Sequence, residues 1–425
     1  MRYVLFSFIF FLTTSGFSQN QFWRHLVNTE FNTITTITFN QKGYVFAGFT
    51  PGQIYRSTDN GESWTKMWDS TMNTIIYSIV VDSNDYIFAS TSTRTPGPFG
   101  FYVGKLICSA DDGLSWITLD SDLEGSILNT LSINSVNTFF GGGGNGAIYR
   151  STENGITWVQ VHNGDIGDNI TALAFDSNDN ILAGSFSGDS SGQIYHSTDI
   201  GNTWFALTHV GRSIYSLTVN QGDTIFVGTY DAPSNDGGIY RSINNGLNWS
   251  QVGLHGMSIS SILIYDFRIF AATYEDGIYY STNGGEDWTS INSGLDNGMI
   301  RVINISPIGF LFAGTIGGGI YRSVEPVTSI KDFGKEIPTR FSLQQNYPNP
   351  FNPSTKIDFS LPLSAKVKIK VYDILGNEIE TLIDEYRQSG YYEVEFDGNE
   401  LPSGIYFYRL ISSKYTETKK MILLR

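Results

Sequence analysis

The sequence predicts an all-β protein, a seven-bladed β-propeller followed by a small Ig-like antiparallel β-sandwich. Aromatic residues make up 14% and charged residues only 16% of the 425-residue chain, a composition typical of proteins rich in β-structure. An eight-residue segment recurs six times at intervals of 39 to 52 residues. The recurrence stops before a proline-rich segment near the C-terminus, so we expect a repetitive domain and a separate second one.

The chain begins with a segment typical of a secretory signal peptide. Arg2 precedes an apolar run over 3–12, and the small residues Gly16 and Ser18 follow it. A membrane-spanning helix needs about 20 apolar residues, which is more than this run supplies. We therefore expect residues 1–18 to be removed during export, and we expect no membrane span in the mature chain.

The charge of the protein excludes some partners. The chain carries 26 basic and 41 acidic residues, and residues 20–323 alone hold 12 basic and 27 acidic ones, which accounts for the whole net charge of −15. Nucleic acids and anionic membranes bind clustered positive charge, so neither is an expected partner. Cys108 is the single cysteine, so no intrachain disulfide can form and stability must come from packing.

The recurring segment has the form Ser-x-Asp-x-Gly-x-x-Trp. Its four marked positions are occupied by Ser57, Asp59, Gly61, Trp64; Ser109, Asp111, Gly113, Trp116; Ser151, Glu153, Gly155, Trp158; Ser197, Asp199, Gly201, Trp204; Ser242, Asn244, Gly246, Trp249; and Ser281, Asn283, Gly285, Trp288. Three β-branched runs precede each segment, and a fourth run starts at its Trp. Four short strands in about 40 residues predict one propeller blade.

A seventh repeat begins at 319–323 but has no Trp strand, and residues 21–26 have the missing form. We therefore expect the N-terminal strand to complete the last blade of a domain over 19–327, because an open ring would leave an unpaired edge. Rings of six or eight blades are the alternatives.

The segment has a physical explanation as a turn between two strands. Its Gly tolerates a positive φ, its Asp or Asn can accept bonds from nearby backbone N–H groups, and its Trp can cover the gap between blades. Glu153 is one methylene longer and should fit less well. A catalytic or calcium-binding role for Asp59, Asp111 and Asp199 is the alternative, which the turn chemistry disfavours.

These segments resemble the Asp-box, or BNR, repeats of sialidases, xyloglucanase-type glycoside hydrolases and sortilin-like receptors. The resemblance implies that the boxes lie at the periphery of the blades and have a structural role. Sialidases also have an Arg-Ile-Pro motif and an arginine cluster. This chain has Arg268-Ile-Phe instead, and Arg56, Arg150, Arg241 and Arg322 each precede a Ser at equivalent repeat positions.

The C-terminal part, 341–425, follows a polar linker over 328–340 and predicts a second domain. Its prolines favour an extended start, and alternating strands separated by Gly376, Gly390 and Gly404 favour an antiparallel sandwich. The segments 346–353, 371–376, 401–409 and 420–425 resemble the type A C-terminal sorting domain of the type IX secretion system. The residues that carry this resemblance include Asn346, Pro348, Asn349, Pro350, Phe351, Gly376 and Gly404.

This resemblance implies a Bacteroidetes-type bacterium, recognition by the outer-membrane secretion machinery, removal of the domain, and a destination on the cell surface or in the medium. An ordinary Ig-like binding domain is the alternative.

The ligand face of the propeller is predicted from its loops. Irregular insertions fall between the second and third strands of several blades, and irregular loops are where function concentrates. With the turns between blades they bring acidic and aromatic residues to one side. The candidate ligand residues are Asp122, Asp168, Tyr230, Asp231, His255 and Asp296, with Asp120, Glu124 and Asp165 nearby.

We expect a non-catalytic binding module for an extracellular carbohydrate or protein. The alternatives are a glycoside hydrolase, which needs two facing carboxylates, and a structural or adhesive surface protein. No cofactor or metal is expected, because the five histidines show no ligand spacing.

Overall fold

A computed structural model of the chain describes residues 21–27, 32–70, 74–95, 101–119, 123, 125–165, 167–187, 192–207, 210, 212–220, 222–230, 236–327, 341–362, 365–387, 390–412 and 415–424. The predicted signal peptide and the linker over 328–340 lie outside these residues. The described residues form strands and turns without any helix, and therefore no helix that could cross a membrane. The chain forms two compact units, and both confirm the predicted all-β class.

The first unit consists of seven four-stranded antiparallel sheets. Strand β1 spans Trp23–Val27. Blades one to six then contain β2 Thr33–Phe39, β3 Val45–Thr50, β4 Gln53–Ser57, β5 Thr65–Asp69; β6 Thr74–Val81, β7 Ile87–Arg94, β8 Tyr102–Ser109, β9 Ile117–Thr118; β10 Leu128–Ile133, β11 Phe139–Gly143, β12 Ile148–Ser151, β13 Val159–His162; β14 Asn169–Phe175, β15 Ile181–Phe186, β16 Ile194–Ser197, β17 Phe205–Ala206; β18 Ile214–Val219, β19 Ile225–Thr229, β20 Gly238–Ser242, β21 Ser250–Gly253; and β22 Ile259–Tyr265, β23 Arg268–Thr273, β24 Ile278–Ser281, β25 Thr289–Ser290. Blade seven contains β26 Ile300–Ile305, β27 Leu311–Thr315 and β28 Ile320–Ser323.

The N-terminal strand supplies the fourth strand of blade seven. β1 pairs with β28, with Trp23 opposite Ser323. The Trp23 side chain is fully buried and its indole N–H donates to the Ile291 carbonyl. At the interface between blades seven and one, Phe312 packs in one apolar cluster with Ile34 and Val45. The ring is therefore closed by both hydrogen bonding and apolar packing.

At five interfaces, neighbouring blades pack through a close contact between a glycine and an isoleucine. The glycine lies on the second strand of one blade, and the isoleucine lies near the start of the first strand of the next. A Cβ atom added at Gly184 would lie 2.5 Å from the Ile214 γ2 methyl, and one at Gly142 would lie 2.3 Å from that of Ile170. A larger residue at these glycines would force the two strands apart.

A β-bulge follows the isoleucine or leucine near the start of the first strand. Six such bulges are defined by the pairing of the first and second strands, and their extra residues are Thr35, Tyr77, Asn129, Thr171, Tyr215 and Arg301. A bulge changes the direction in which a side chain points. The residue after each of these isoleucine or leucine residues therefore has no regular pairing partner on the second strand.

The turns between the first and second strands form a second set of links between blades. In each of blades two to five, the last turn residue accepts a backbone N–H bond from the turn of the preceding blade. These acceptors are Asp85 from Gln41 at 2.8 Å, Asn137 from Ser83 at 3.4 Å, Asp179 from Ser135 at 3.3 Å and Asp223 from Ser177 at 3.0 Å.

The second unit is a two-sheet sandwich. Its strands are β29 Ser342–Leu343, β30 Ser354–Leu361, β31 Ala365–Tyr372, β32 Glu378–Arg387, β33 Gly390–Asp397, β34 Gly404–Ser412 and β35 Tyr415–Leu423. One sheet has the order β29-β30-β33 and the other β32-β31-β34-β35. Buried residues of both sheets, among them Phe359, Ile369 and Leu410, form one core.

We predict that Gly184→Ala destabilises the ring by about 1–3 kcal/mol, because the added methyl group overpacks the contact with Ile214. The matched control is Gly222→Ala. Gly222 is exposed in a turn, where the nearest atom to an added Cβ lies at 3.5 Å, so this change should alter stability by less than about 1 kcal/mol. Urea unfolding followed by tryptophan fluorescence measures both, since all eight tryptophans lie between 23 and 288. Equal midpoints for the two variants would contradict the expectation.

Candidate functional site

The first strands of the blades surround a central channel of about 700 Å³. All six residues at the bulges line it, together with Ser260, which follows Ile259 at the equivalent position of blade six. The channel therefore receives one such residue from each blade: Thr, Tyr, Asn, Thr, Tyr, Ser and Arg in order. Among the described lining residues there is no carboxylate, and Arg301 carries the one full charge.

Four aromatic rings and a guanidinium group meet on one side of this channel. Phe186, Tyr215, Tyr230, Tyr274 and Arg301 form this aromatic cluster. Tyr215 is central, with ring centroids 5.2 Å from Phe186, 5.5 Å from Tyr230 and 5.3 Å from Tyr274. The Arg301 guanidinium carbon lies 5.9 Å from the centre of the Tyr215 ring and 5.7 Å from that of Tyr274.

Burial raises the pKa of two tyrosines of the cluster. It raises the pKa of Tyr215 to about 12, and it also raises the pKa of Tyr274. Arg301 donates from Nη1 to the Tyr274 hydroxyl oxygen. At neutral pH the Tyr215 and Tyr274 phenols are therefore protonated, and Arg301 beside them carries a permanent positive charge.

The predicted ligand residues that the structure describes lie in different surroundings. Tyr230 belongs to the aromatic cluster. Asp168 is buried and accepts a 3.0 Å bond from the Ser185 hydroxyl, so its carboxylate is part of the wall between blades three and four. His255 and Asp296 are exposed on separate turns. Asp120, Asp122, Glu124 and Asp231 lie outside the described residues.

Sequence reasoning did not find Phe186, Tyr215, Tyr274 or Arg301. A signal was present in the first strands. When they are aligned on the isoleucine or leucine that packs between blades, the following position varies in size, aromaticity and charge, whereas its neighbours do not. A variable position in an otherwise regular strand is consistent with a side chain that the fold does not constrain.

The box residues form compact turns at the outer strands. In the first box the Ser57 hydroxyl donates to Asp59 Oδ1 at 2.8 Å and accepts from the Gly61 N–H at 2.7 Å. Asp59 also accepts from the backbone and the hydroxyl of Ser63 at 2.8 and 2.6 Å. Asn60 and Gly61 have φ values of 57° and 89°. Both carboxylate oxygens of Asp59 thus accept bonds within the turn.

Equivalent bonds are present in the other boxes. Asn244 and Asn283 accept through Oδ1 as Asp59 does. Glu153 accepts from the Thr157 hydroxyl at 2.9 Å. These contacts support a structural role for the boxes, and the described residues contain no group of three or more His, Cys, Asp or Glu that could hold a metal ion.

The arginines that precede the box serines reach the next blade. Arg56 donates from Nη1 to the Asp112 carbonyl at 2.7 Å, and Arg150 donates to the Ile200 carbonyl at 2.6 Å. Arg322 of blade seven donates in the same way to the Asn60 carbonyl of blade one. These guanidinium groups fasten box turns and do not converge on one ligand.

The sorting-motif residues fasten the start of the second unit to its last strand. Asn346 is buried, and its side-chain amide donates to Thr355 Oγ1 and to the Pro348 carbonyl. The Asn349 side chain accepts from the Ile422 N–H at 2.9 Å, and the Phe351 N–H donates to the Ile422 carbonyl at 2.9 Å. Pro350 follows Asn349, Gly376 adopts a φ of 86° in the turn that Asp373 opens, and Gly404 begins β34.

The C-terminal unit is identified by its sequence. Residues 345–424 match the family described as the secretion system C-terminal sorting domain. This domain indicates export through the type IX secretion system, to the cell surface or the medium. The comparison with curated proteins found no match.

The first unit has the fold of solved β-propellers. YCF48 from Cyanidioschyzon merolae is 15% identical with a TM-score of 0.56, over 73% of this chain and 100% of that one. Virginiamycin B lyase from Staphylococcus aureus is 12% identical with a TM-score of 0.57, over 71% and 97%. The GH74 xyloglucanase from Xanthomonas campestris is 15% identical with a TM-score of 0.57, over 80% and 59%. At these identities the likeness establishes the fold alone.

We predict that Ile200→Asn stabilises the ring by about 1 kcal/mol, because a β-branched residue is strained at positive φ whereas Asn tolerates it. Ile200 has a φ of 58° and is 47% exposed, and the equivalent residues Asn60, Asn154 and Asn245 have φ values of 57°, 51° and 55°. Thermal unfolding followed by tryptophan fluorescence measures the change. The control is Ile243→Asn in the next box, where the side chain is 77% exposed and outside the positive-φ region, so no gain is expected. A similar gain in both variants would show that replacing an exposed apolar side chain, and not relief of the positive φ, is responsible.

We predict a pH-dependent contribution from the box carboxylates. Bonds from Ser63 lower the pKa of Asp59 to about 2, and bonds from Ser115 do the same for Asp111. A carboxyl group whose pKa is lower in the folded state stabilises the fold above its unfolded pKa of about 4, and this stabilisation is lost between about pH 4 and 2. The double variant Asp59→Asn, Asp111→Asn keeps one acceptor oxygen in each box. Its melting temperature should therefore fall less than that of the wild type between pH 5 and 2.5, and an equal fall would contradict the assignment.

Proposed function

We propose that the exported ring is a non-catalytic binding module for an extracellular carbohydrate or protein, and that its ligand lies in the channel against the aromatic cluster. The observation that carries this proposal is the convergence of Phe186, Tyr215, Tyr230, Tyr274 and Arg301 from blades four to seven. Side chains so distant in the sequence meet only because the ring brings their strands together.

The chemistry of the channel favours a carbohydrate over a protein. Ligand sites combine apolar and aromatic walls with a few polar groups that fix orientation. Tyrosine offers both a flat apolar face and a hydroxyl group, and Thr35, Asn129 and Ser260 add hydroxyl and amide groups along the same channel. A pyranose ring likewise has apolar C–H faces and hydroxyl edges, so it matches this lining on both counts.

The hydrolase alternative depends on carboxylates. Glycosidases use two carboxyl groups separated by about 5 to 9.5 Å across the scissile bond. Of the described carboxylates predicted for this side, Asp168 is bound by Ser185 within the wall, and Asp165 and Asp296 are exposed. Aromatic faces and hydroxyl groups, by contrast, line the channel directly, and they support binding as the role of the ring.

We predict that the full chain binds members of a glycan array and that Tyr215→Ala weakens this binding by at least roughly tenfold, since central aromatic anchors carry much of the energy of a binding site. The matched control is Tyr86→Ala. Tyr86 is 42% exposed next to the turn between β6 and β7, at the opposite end of the strands from the cluster, and its removal should leave binding unchanged.

Three results would overturn the proposal. Equal binding by both variants would place the ligand elsewhere. Release of reducing ends that is lost in Asp168→Asn or Asp296→Asn would favour the hydrolase. Failure to bind any glycan or extracellular protein would favour a structural or adhesive role.

A further inference from the structure

Arg301 differs from seven other described cations of the ring. Arg56, Arg150 and Arg322 bind box carbonyls, while Arg24, Lys42, Lys66 and Arg212 pair with carboxylates. Arg301 contacts two tyrosine rings and one tyrosine hydroxyl. No carboxylate of the described residues forms an ion pair with it, although the ring is strongly acidic.

The position of Arg301 makes it available to a ligand. It is the extra residue of the bulge in β26 and lies between the paired residues Ile300–Thr315 and Val302–Gly314. It is half-buried and lines the channel. One of its terminal nitrogens is occupied by Tyr274, which leaves the remaining N–H groups for another acceptor. Two aromatic faces restrict its motion, so little side-chain entropy is lost when a ligand binds.

We infer that Arg301 makes the channel selective for a sugar acid, a glycan unit that carries a carboxylate. This inference rests on the proposed carbohydrate-binding function and adds the chemical class of the ligand. A guanidinium group matches a carboxylate in charge and in planar geometry, and it binds one through paired charge-assisted hydrogen bonds. The phenol of Tyr215 and the hydroxyl and amide groups at the other bulges meet the hydroxyl groups of the same sugar.

The charge of the ring limits this ligand to a weakly charged one. Residues 20–323 hold 27 acidic residues against 12 basic ones, so a polyphosphate or another dense polyanion would be repelled over a long range. A single carboxylate needs a single counter-charge. The described lining supplies one guanidinium and no competing carboxylate, and this balance favours a glycan unit with one acidic group.

The test compares sugar acids with their methyl esters, in which the charged carboxylate is replaced by a neutral ester group on the same sugar. The probes are short oligomers of galacturonate, glucuronate and mannuronate, each beside its methyl ester, titrated against the full chain by calorimetry. At least one acid should bind roughly 10- to 100-fold more tightly than its ester, because a hydrogen-bonded charged pair has about this value. Arg301→Met should remove the difference between acid and ester, and Arg301→Lys should keep only part of it.

Lys66→Met is the matched control. It removes the same unit of charge from the ring, but Lys66 is exposed on β5 and pairs with Asp69, so the preference for the acid should persist. Tryptophan fluorescence shows whether each variant is folded, and Arg301→Lys keeps the test valid if Arg301→Met does not fold.

Several outcomes would overturn the inference. Equal binding of acid and ester by the wild type, or an unchanged preference in Arg301→Met, would refute the role of Arg301 and leave carbohydrate binding intact. Binding of neutral glycans alone would do the same. Binding of peptides with a free C-terminal carboxylate, but of no sugar acid, would show that the ligand class is wrong. Failure to bind any glycan or any extracellular protein would instead refute the proposed function itself.

Discussion

The ring depends on the close approach between a second-strand glycine and the first-strand isoleucine of the next blade. At five interfaces an added Cβ would lie 2.3–2.7 Å from the isoleucine γ2 methyl, namely Gly48–Ile76, Gly142–Ile170, Gly184–Ile214, Gly228–Ile259 and Gly314–Ile34. Dense packing of this kind leaves little freedom to either partner. The chain bulges directly after the isoleucine, so the next side chain enters the channel. Packing fixes one residue and leaves its neighbour free, and this is why Thr, Tyr, Asn, Ser and Arg can all occupy the same position without disturbing the ring.

The outer rim is held by different chemistry. Each box closes a turn with bonds among its own Ser, Asp or Asn and Gly, and an arginine from the preceding blade reaches the turn carbonyl in three places, as Arg56 does at Asp112. The turns between first and second strands add acceptors such as Asp85 and Asp223. Polar bonds therefore hold the rim and apolar contacts hold the inner wall. Since both kinds repeat from blade to blade, the ring can tolerate irregular residues only where neither kind applies, in the loops and at the bulges.

Much of this fold could be predicted from the sequence because repetition reveals it. Six boxes in register indicated the outer strands, and the Asn346 to Pro353 segment indicated the sorting domain whose family match covers 345–424. The site was harder to predict. Tyr230 was found through its loop, but Tyr215 and Arg301 lie within strands that alternate like their neighbours, and only the pairing register shows that each is the extra residue of a bulge. Asp168 was selected because it is a carboxylate beside a loop, yet burial and a bond from Ser185 give it a role in the wall. Residue type and position along a chain do not reveal burial.

The overall charge of the protein is a poor guide to its ligand. Many acidic groups are acceptors within turns, including Asp59, Asp82, Asp111 and Asp176, so the turn chemistry of the repeats accounts for much of the negative charge. Many cations are likewise engaged at the rim. A ligand in the channel is affected mainly by the nearby charge, which is one guanidinium group among neutral hydroxyl, amide and aromatic groups. An acidic ring can therefore still favour a carboxylate at its centre, because a partly buried pair a few ångströms apart is screened far less than distant charges across solvent. The long-range field excludes polyanions, whereas the short-range contact selects among small ligands, and the two effects act at different distances on different molecules.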